Sequence, residues 1–351
     1  MYDAPEISVI LTTHNRAGLL ARALAGFARQ TLAQTRFEIV AVDDGSSDQT
    51  PLVLERYRDQ LPLRVFCQAA SGLAAAKNLG VFASRAPIIV FADDDDVPDP
   101  DYLVAHLAAH LRHRDINVAV LARSELDPAI AASPLMRHVT GPKGQLFSHD
   151  WMVPGQILSF REFWGGRSSC KRALLTEVGV FNPAFRFGCE DIELAWRLQV
   201  ARGIAVVFEP QARTRMIRAV SFDEFCMRSI RQGRSQWLFA QLHDHPLIRA
   251  YCEIDQALGA WRRYRSDFAA ILRWVRRLDE MMQERQSVDR PILPETHAEL
   301  DAAYRFAFQL CRAKGVVDAG SLPPILRRPE SFDPGLMSFL AIQQAPVPLS
   351  A

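Results

Sequence analysis

Apolar positions in the first hundred residues follow two alternating periods. Ile7 to Thr12 (ISVILT) is a short, almost wholly apolar run rich in β-branched side chains, as expected of a strand covered on both faces. Leu19, Leu20, Leu24 and Phe27 then recur at helical spacing behind Asn15, a residue suited to cap that helix. Phe37 to Val42 (FEIVAV) is the next strand and runs into DDGSSDQT, where Ser47 or Asp48 is placed to cap a helix beginning near Pro51. Leu63 to Cys67 is a third strand, Ser71-Gly72 opens a helix over Leu73 to Ser84, and Pro87 to Phe91 (PIIVF) is a fourth strand ending in four aspartates. This alternation predicts an α/β fold with a mostly parallel sheet sandwiched by helices, its functional groups gathered at the carboxyl ends of the strands.

The pattern breaks down at about residues 130–160, around SPLMRHVTGPKGQLFSHDWMVPGQ, a stretch of mixed loop chemistry long enough to suggest a lid. Phe163 to Lys171 (FWGGRSSCK) is expected as a strand entered through two glycines. Phe187-Gly-Cys-Glu-Asp191 leads into a helix over Ile192 to Ala201 that Gly203 terminates, and Ala205 to Phe208 is the last expected strand. Beyond about Val220 amphipathic helical segments take over to about Lys314, broken by prolines at 291–294 and 323–324, and the final residues are expected to be disordered. Two units follow: a catalytic α/β unit over 1–219 and a helical region with a disordered tail over 220–351. Within the first, 5–125 is the expected donor and metal side and 126–219 the acceptor side.

Composition narrows the picture without changing it. The chain of 351 residues is 49% hydrophobic and 23% charged, ordinary for a globular protein, and its net charge of +1 gives no general case for nucleic-acid binding. Six cysteines without CxxC spacing are expected as buried thiols in a reducing compartment. Met1 leads directly into the first strand, and no run approaches the roughly 18 to 20 apolar residues of a membrane span. A cytoplasmic protein, peripheral at most to the inner face of a membrane, is the expectation.

Three acidic clusters carry the candidate chemistry. Asp93-Asp94-Asp95-Asp96 repel one another, and a hard divalent cation such as Mg²⁺ or Mn²⁺ relieves that repulsion; the plainer reading is a solvated acidic turn. Asp43-Asp44-Gly45-Ser46 has more acid than a turn or cap requires, and a carboxylate there can accept a hydrogen bond from a base imide. Glu190-Asp191 at a helix start either complements the helix dipole or supplies a general base. In the second case the helix terminus is expected to keep the carboxylate ionised.

Taken in order, ISVILTTHNR, VDDGSSD, GLAAAKNLG, FADDDDVPDPDYL, GGRSSCKR, VGVFNPAF and GCEDIELAWRL resemble the family 2 glycosyltransferases over about residues 5–235. The resemblance implies a GT-A fold with a C-terminal helical extension and an inverting, metal-dependent transfer from a nucleotide diphosphate sugar. It puts Thr12, His14, Arg16, Asp44, Lys77, Asp93 and Asp94 on the nucleotide side, with Asp44 on the base (uridine preferred) and Asp93 or Asp94 at the ribose. Asp95 is similar to the metal ligand of the DXD element, Asp191 to the catalytic base, and Glu190, Trp164 and Gly166 fall on the acceptor side. Trp164 is either a core aromatic or a platform for a sugar ring. The acceptor implied is a glycan or lipid-linked precursor of a cell-surface polysaccharide.

Two departures from the family pattern stand out. QARTRMIR offers Arg213, Arg215 and Arg218 where many relatives carry a metal-side histidine, and RQGRSQW does not reproduce the QxxRW of processive members. His138 and His149 have no ligand partner at metal spacing and are expected to face solvent. Arg262, Arg263, Arg265, Arg273, Arg276 and Arg277 crowd near Trp261 and Trp274, as a solvated face, a homodimer surface or a dock for an anionic membrane. A nucleotidyltransferase of similar fold and an inactive nucleotide-sugar binder are the alternatives; the first lacks its Gly-rich basic loop in TTHNRAGLL.

Overall fold

The computed structural model describes residues 4–142, 144–287 and 294–321. The expected tail, the proline break at 323–324 and residues 291–293 of the earlier break lie outside them.

The alternating half forms as its periodicity dictates. In chain order it comprises β1 (Ile7–Thr13), α1 (Ala17–Phe27), β2 (Phe37–Asp43), α2 (Thr50–Tyr57), β3 (Leu63–Cys67), α3 (Leu73–Ala83) and β4 (Ile88–Asp93). Every residue of β1 and β2 is buried, which is why these runs carry no polar alternation. Leu20, Leu24 and Phe27 bury the expected stripe of α1 in one core layer with Ile7, Val9, Leu11 and Tyr102. Asn15, however, does not cap α1. It sits at φ 52 and its side-chain oxygen accepts from the Ser47 amide at 2.7 Å, while Asp48 caps instead, accepting from Ala17 N at 3.1 Å and Thr50 N at 2.9 Å.

The chain continues through β5 (Asp96–Pro98), α4 (Tyr102–Arg112), β6 (Val118–Leu126), α5 (Pro128–Ala131), α6 (Pro134–Thr140), β7 (Ile157–Leu158), β8 (Ser168–Lys171), α7 (Arg172–Val178), α8 (Glu190–Arg202) and β9 (Ala205–Met216). The strands form one sheet in the order β3-β2-β1-β4-β8-β6-β9-β5, with β7 on β9. Its β3-β2-β1-β4 part is parallel; β8 runs antiparallel to both β4 and β6, and β6 pairs parallel with β9. Strand β8 is shorter than the expected Phe163 to Lys171, because the two glycines and Arg167 remain in the approach to it. Strand β9 extends well past Phe208, its polar second half pairing with β5.

The segment at 130–160 is less irregular than its composition suggests. Asp127 and Ser133 cap two short helices there, and Phe147 and Met152 are buried. His149 is buried as well, its ring stacked 5.6 Å from Phe208, and burial pushes it down to about 4. His138 bonds to Asp301 at 2.9 Å with only 9% of its side chain exposed. Neither histidine faces solvent: each fills an aromatic niche that only the tertiary fold creates.

Five helices follow: α9 (Phe222–Leu242), α10 (Pro246–Cys252), α11 (Ile254–Tyr264), α12 (Phe268–Ser287) and α13 (Pro294–Gly320). Phe225 of α9 meets Phe308 of α13 at 4.6 Å between centroids. Phe239, Ile248, Cys252 and Val316 join the same core as Phe91 of the sheet, so the helical layer is continuous with the α/β layer. Among the described residues, no helix is long and apolar enough to cross a membrane.

Candidate active site

The parallel strands deliver their carboxyl ends to one place. In register, Thr12 stands beside Asp93 and Thr13 beside Asp43. Asp44, one residue past β2, holds the loop before α3: Oδ1 accepts from Ser71 N at 2.8 Å and Gln68 Nε2 at 2.7 Å, and Oδ2 accepts from Gly72 N at 2.8 Å. With three donors already on this carboxylate, a nucleobase there shares an acceptor that also shapes the loop. His14 is exposed but tied to the same point, its Nδ1 lying 2.8 Å from the Asp44 carbonyl oxygen.

The four aspartates divide into two groups. Asp94 turns toward α1, accepting from Thr13 Oγ1 at 2.8 Å and from Arg16 Nη1 at 2.7 Å; burial pushes it up to about 6 even beside that arginine. Carboxylate oxygens of Asp93, Asp95 and Asp96 instead lie within 4.8 Å of one another. The resemblance left either Asp93 or Asp94 for the ribose and did not assign Asp96; Asp93 and Asp96 both stand with Asp95. Burial and the neighbouring Asp93 charge raise Asp95.

Arg167, in the GGRSSCK segment, is the cation of this group. Buried and lying over the Phe147 ring at 4.7 Å, it reaches Asp96 at 2.7 Å and Asp93 at 3.8 Å. Asp96 also accepts from Ser124 Oγ at 3.1 Å; burial pushes it up to about 7 while Arg167 pulls the other way. Of the three arginines of QARTRMIR, Arg213 and Arg215 each lie 3.5 Å from Asp99, whereas Arg218, 3.3 Å from Glu224, is also close enough to Asp95 to favour its charged form. Arg167, and Arg16 at 3.4 Å from Asp95, offset part of the charge of the three carboxylates, and an all-oxygen donor set suits a hard divalent cation. The residues therefore fit a metal, with Asp93 and Asp95 the more accessible ligands (31% and 11% of the side chain exposed) and Asp96 held back by Arg167.

Two adjacent glycines join this group to the other acids. A Cβ on Gly166 would stand 1.9 Å from Asp93 Oδ2, and one on Gly165 would stand 2.7 Å from Lys77 Nζ. The Gly165 amide donates to Asp191 Oδ2 at 2.9 Å. Asp191 is only partly exposed; burial first, then the Glu190 charge, push it up to about 6, against Lys77 and the amides of Gly165 and Ile192. The helix terminus was expected to keep this group ionised; at about 6 it is mostly ionised at neutral pH, with desolvation raising its proton affinity. Glu190 is buried, its Oε1 accepting from Lys77 Nζ at 3.0 Å, and Lys77 also lies close enough to Asp93 to feel its charge. Trp164 packs between two core clusters, edge-on to His149 and donating from its indole to the Arg161 carbonyl at 3.1 Å, a largely structural setting.

Sequence reasoning missed Arg167, Asp96 and Gly165. A signal was present for the first: an arginine after two glycines, next to an acidic strand end, has few apolar uses.

Comparison with known proteins agrees with this geometry. Residues 8–170 match the family described as glycosyl transferase family 2. Validoxylamine A glucosyltransferase of Streptomyces hygroscopicus subsp. jinggangensis is 30% identical over 263 residues, covering 66% of this chain and 62% of that protein. Hyaluronan synthase of Pasteurella multocida is 26% identical over 219 residues, covering 55% of this chain and 22% of that protein. The chain thus spans less than two thirds of these relatives. The crystal structure of S. aureus TarS 1-349 in complex with UDP-GlcNAc superposes with a TM-score of 0.52 at 16% identity, covering 90% of this chain and 92% of that one. The fold is accordingly GT-A, and the acidic strand ends lie inside the matched residues. By sequence, residues 8–170 of this GT-A chain, which hold the acidic strand ends, thus match glycosyl transferase family 2.

Proposed function

We propose that the protein transfers a sugar from a nucleoside diphosphate sugar to a hydroxyl of an acceptor, with inversion, in one displacement. The observation that carries this reading is the meeting of the acidic triad and Asp191 on the single dipeptide Gly165-Gly166. A metal-binding group and a carboxylate of raised proton affinity then serve one reaction centre. A divalent cation, Mn²⁺ or Mg²⁺, held by Asp93 and Asp95 with Asp96 behind them, supplies charge neutralisation for the diphosphate.

The chain's own residues do the rest. Asp44, Thr12 and His14 form the base end, with Arg16 and Asp94 closing the ribose side. Asp191 takes the proton of the attacking hydroxyl; its raised proton affinity makes it a better base at neutral pH than an ordinary aspartate. Glu190 and Lys77 set that affinity from opposite directions. Uridine diphosphate sugars are the first donors to try, and a glycan or lipid-linked hydroxyl the first acceptor class. Residues 1–219 act as the catalytic unit in the cytoplasm, and the exposed Arg262, Arg263, Arg265 and Arg273 beside Trp274, itself 56% exposed, support contact with an anionic membrane.

Incubation with Mn²⁺ and labelled nucleotide sugars tests the reaction. Nucleoside diphosphate released in step with acceptor labelling is expected. Pyrophosphate would mark nucleotidyl transfer, and binding without product an inactive binder.

A further inference from the structure

The two residues before Glu190 both stand in the left-handed region, Gly188 at φ 72 and Cys189 at φ 63. Glycine accepts that conformation freely, whereas a residue with a β-carbon adopts it at a cost. Cys189 is also the N-terminal cap of α8, a place usually taken by Ser, Thr, Asp or Asn, and its side chain makes no capping hydrogen bond. Strain of this kind persists only where the surroundings over-determine it.

Helix α9 does so from far along the chain. Gln232 Nε2 donates to Cys189 Sγ at 3.0 Å across 43 residues, and Ser235 Oγ donates to the Phe187 carbonyl at 2.6 Å across 48. Gln232 Oε1 stands so close to Gly188 that a Cβ there would collide with it. Phe187, Gly188 and Cys189 are thus each met by one of these two side chains. The helix has little room to yield. A Cβ on Gly233 would strike the Arg312 carbonyl oxygen of α13, and one on Gly315 would strike that of Ile230, so α9 and α13 meet backbone to backbone.

We infer that Gln232 and Ser235 are positioning residues that aim Asp191 through the 187–189 turn. The inference rests on the reading of Asp191 as the base. Torsions at Gly188 and Cys189 set the direction of the first turn of α8, which carries both acids. Let go, Cys189 returns to negative φ and rotates that turn away from Lys77 Nζ and the Gly165 amide, which hold Glu190 and Asp191 at 3.0 and 2.9 Å. The helical layer beyond residue 220 then has a task in the reaction: α13 braces α9, and α9 holds the turn.

The test is a pair of double-mutant cycles in the full chain, with Gln232→Ala and Ser235→Ala each made alone and with Asp191→Asn. The probe is the labelled nucleotide sugar turned over fastest with Mn²⁺, its nucleoside diphosphate release followed with water as the accepting hydroxyl. Each α9 variant is expected to lower kcat by about 10- to 100-fold, the scale of a small misplacement of a reacting group, with KM for the nucleotide sugar unchanged. In the Asp191→Asn background the same substitutions should cost less than about 2-fold more, because the group they aim is no longer a base. Ser235→Ala deletes a single hydroxyl, so its cycle stands even where Gln232→Ala melts too low to assay. Losses that multiply fully in both backgrounds would reduce α9 to a general support of the fold and overturn the inference. A raised KM at unchanged kcat would also overturn it, by placing these side chains in donor binding. Full activity of both α9 variants beside an impaired Asp191→Asn would sink the positioning role alone. An Asp191→Asn chain with full turnover would instead overturn the base reading, and this role with it.

Discussion

Lys77 Nζ lies 3.0 Å from Glu190 Oε1, joining α3 to the first turn of α8 across 113 residues. Both side chains are at most 5% exposed, and Glu190 Oε2 has no hydrogen-bond partner among the described residues. The pair sits against Asp191, whose proton affinity Glu190 raises and Lys77 lowers.

Glu190→Gln removes the charge that raises Asp191. The acidic limb of the kcat profile, expected near pH 6, should therefore move to lower pH; Lys77→Met, which removes the opposing charge, should move it up. Lys77→Met strands a buried carboxylate and should also cost about 3 to 5 kcal/mol in urea unfolding. Opposite displacements of the limb are the diagnostic result; a limb that ignores both changes would take Asp191 out of the base role.

Asp191→Asn should lower turnover by about 10² to 10⁴ while leaving nucleoside diphosphate affinity unchanged. Its effect on stability has a definite sign. The folded value of about 6 lies above the ordinary 3.8, so ionisation costs more in the folded state than in the unfolded one. That cost is absent below about pH 4, grows between pH 4 and 6 and is complete above, as the linkage relation requires. The melting temperature of the variant relative to wild type should therefore rise across that window and level off by pH 7. A constant difference across it would mean that Asp191 titrates like a free aspartate.

Asp95→Ala and Asp96→Ala should behave oppositely, although their residues are adjacent. Losing Asp95 relieves repulsion from Asp93, so the metal-free protein should melt no lower while its thermal shift with Mn²⁺ disappears. Losing Asp96 strands buried Arg167, at a cost of about 3 to 5 kcal/mol. Equal destabilisation by the two, measured without metal, would contradict this division of the acidic run.

Gly166→Ala places a methyl where Asp93 Oδ2 now lies, at 1.9 Å, and should displace the carboxylate, costing about 1 to 3 kcal/mol and weakening the response to Mn²⁺. Gly165→Ala meets the flexible end of Lys77 at 2.7 Å and Asp191 Cβ at 3.0 Å, so it should be milder on the Mn²⁺ response and act mainly on Asp191.

Much of this architecture is written in local pattern. Strands β1, β2 and β4 show as apolar runs because both of their faces are covered, and Gly203 ends α8 in the left-handed conformation where the sequence said it would. The insertion of β8 between β4 and β6 is not legible, since a four-residue strand bridging distant segments leaves no periodicity of its own. The second half of β9, QARTRM, lay beyond the expected Ala205 to Phe208 because it is no apolar run, its alternate side chains being exposed. For the site, the acidic clusters and their places at strand ends could be read directly. The sorting of Asp93, Asp95 and Asp96 from Asp94 could not, because it depends on Arg16 arriving from α1 and Arg167 from the approach to β8. His149 was misjudged for the same kind of reason: its niche is built by Phe147, Trp164 and Phe208, which meet only after folding.

The Gly165-Gly166 dipeptide gives the molecule a thermodynamic linkage between its two ends. One residue abuts the Asp93 carboxylate and the next lends its amide to Asp191. Whatever reseats Asp93 pushes on the peptide that holds Asp191, and protonating Asp191 releases that peptide toward Asp93. Reciprocity then fixes the magnitude: the factor by which an occupant of the triad changes proton affinity at Asp191 is the factor by which protonation changes affinity for the occupant. On the proposed function, donor loading at the triad and proton binding at Asp191 would be one equilibrium observed from two sides.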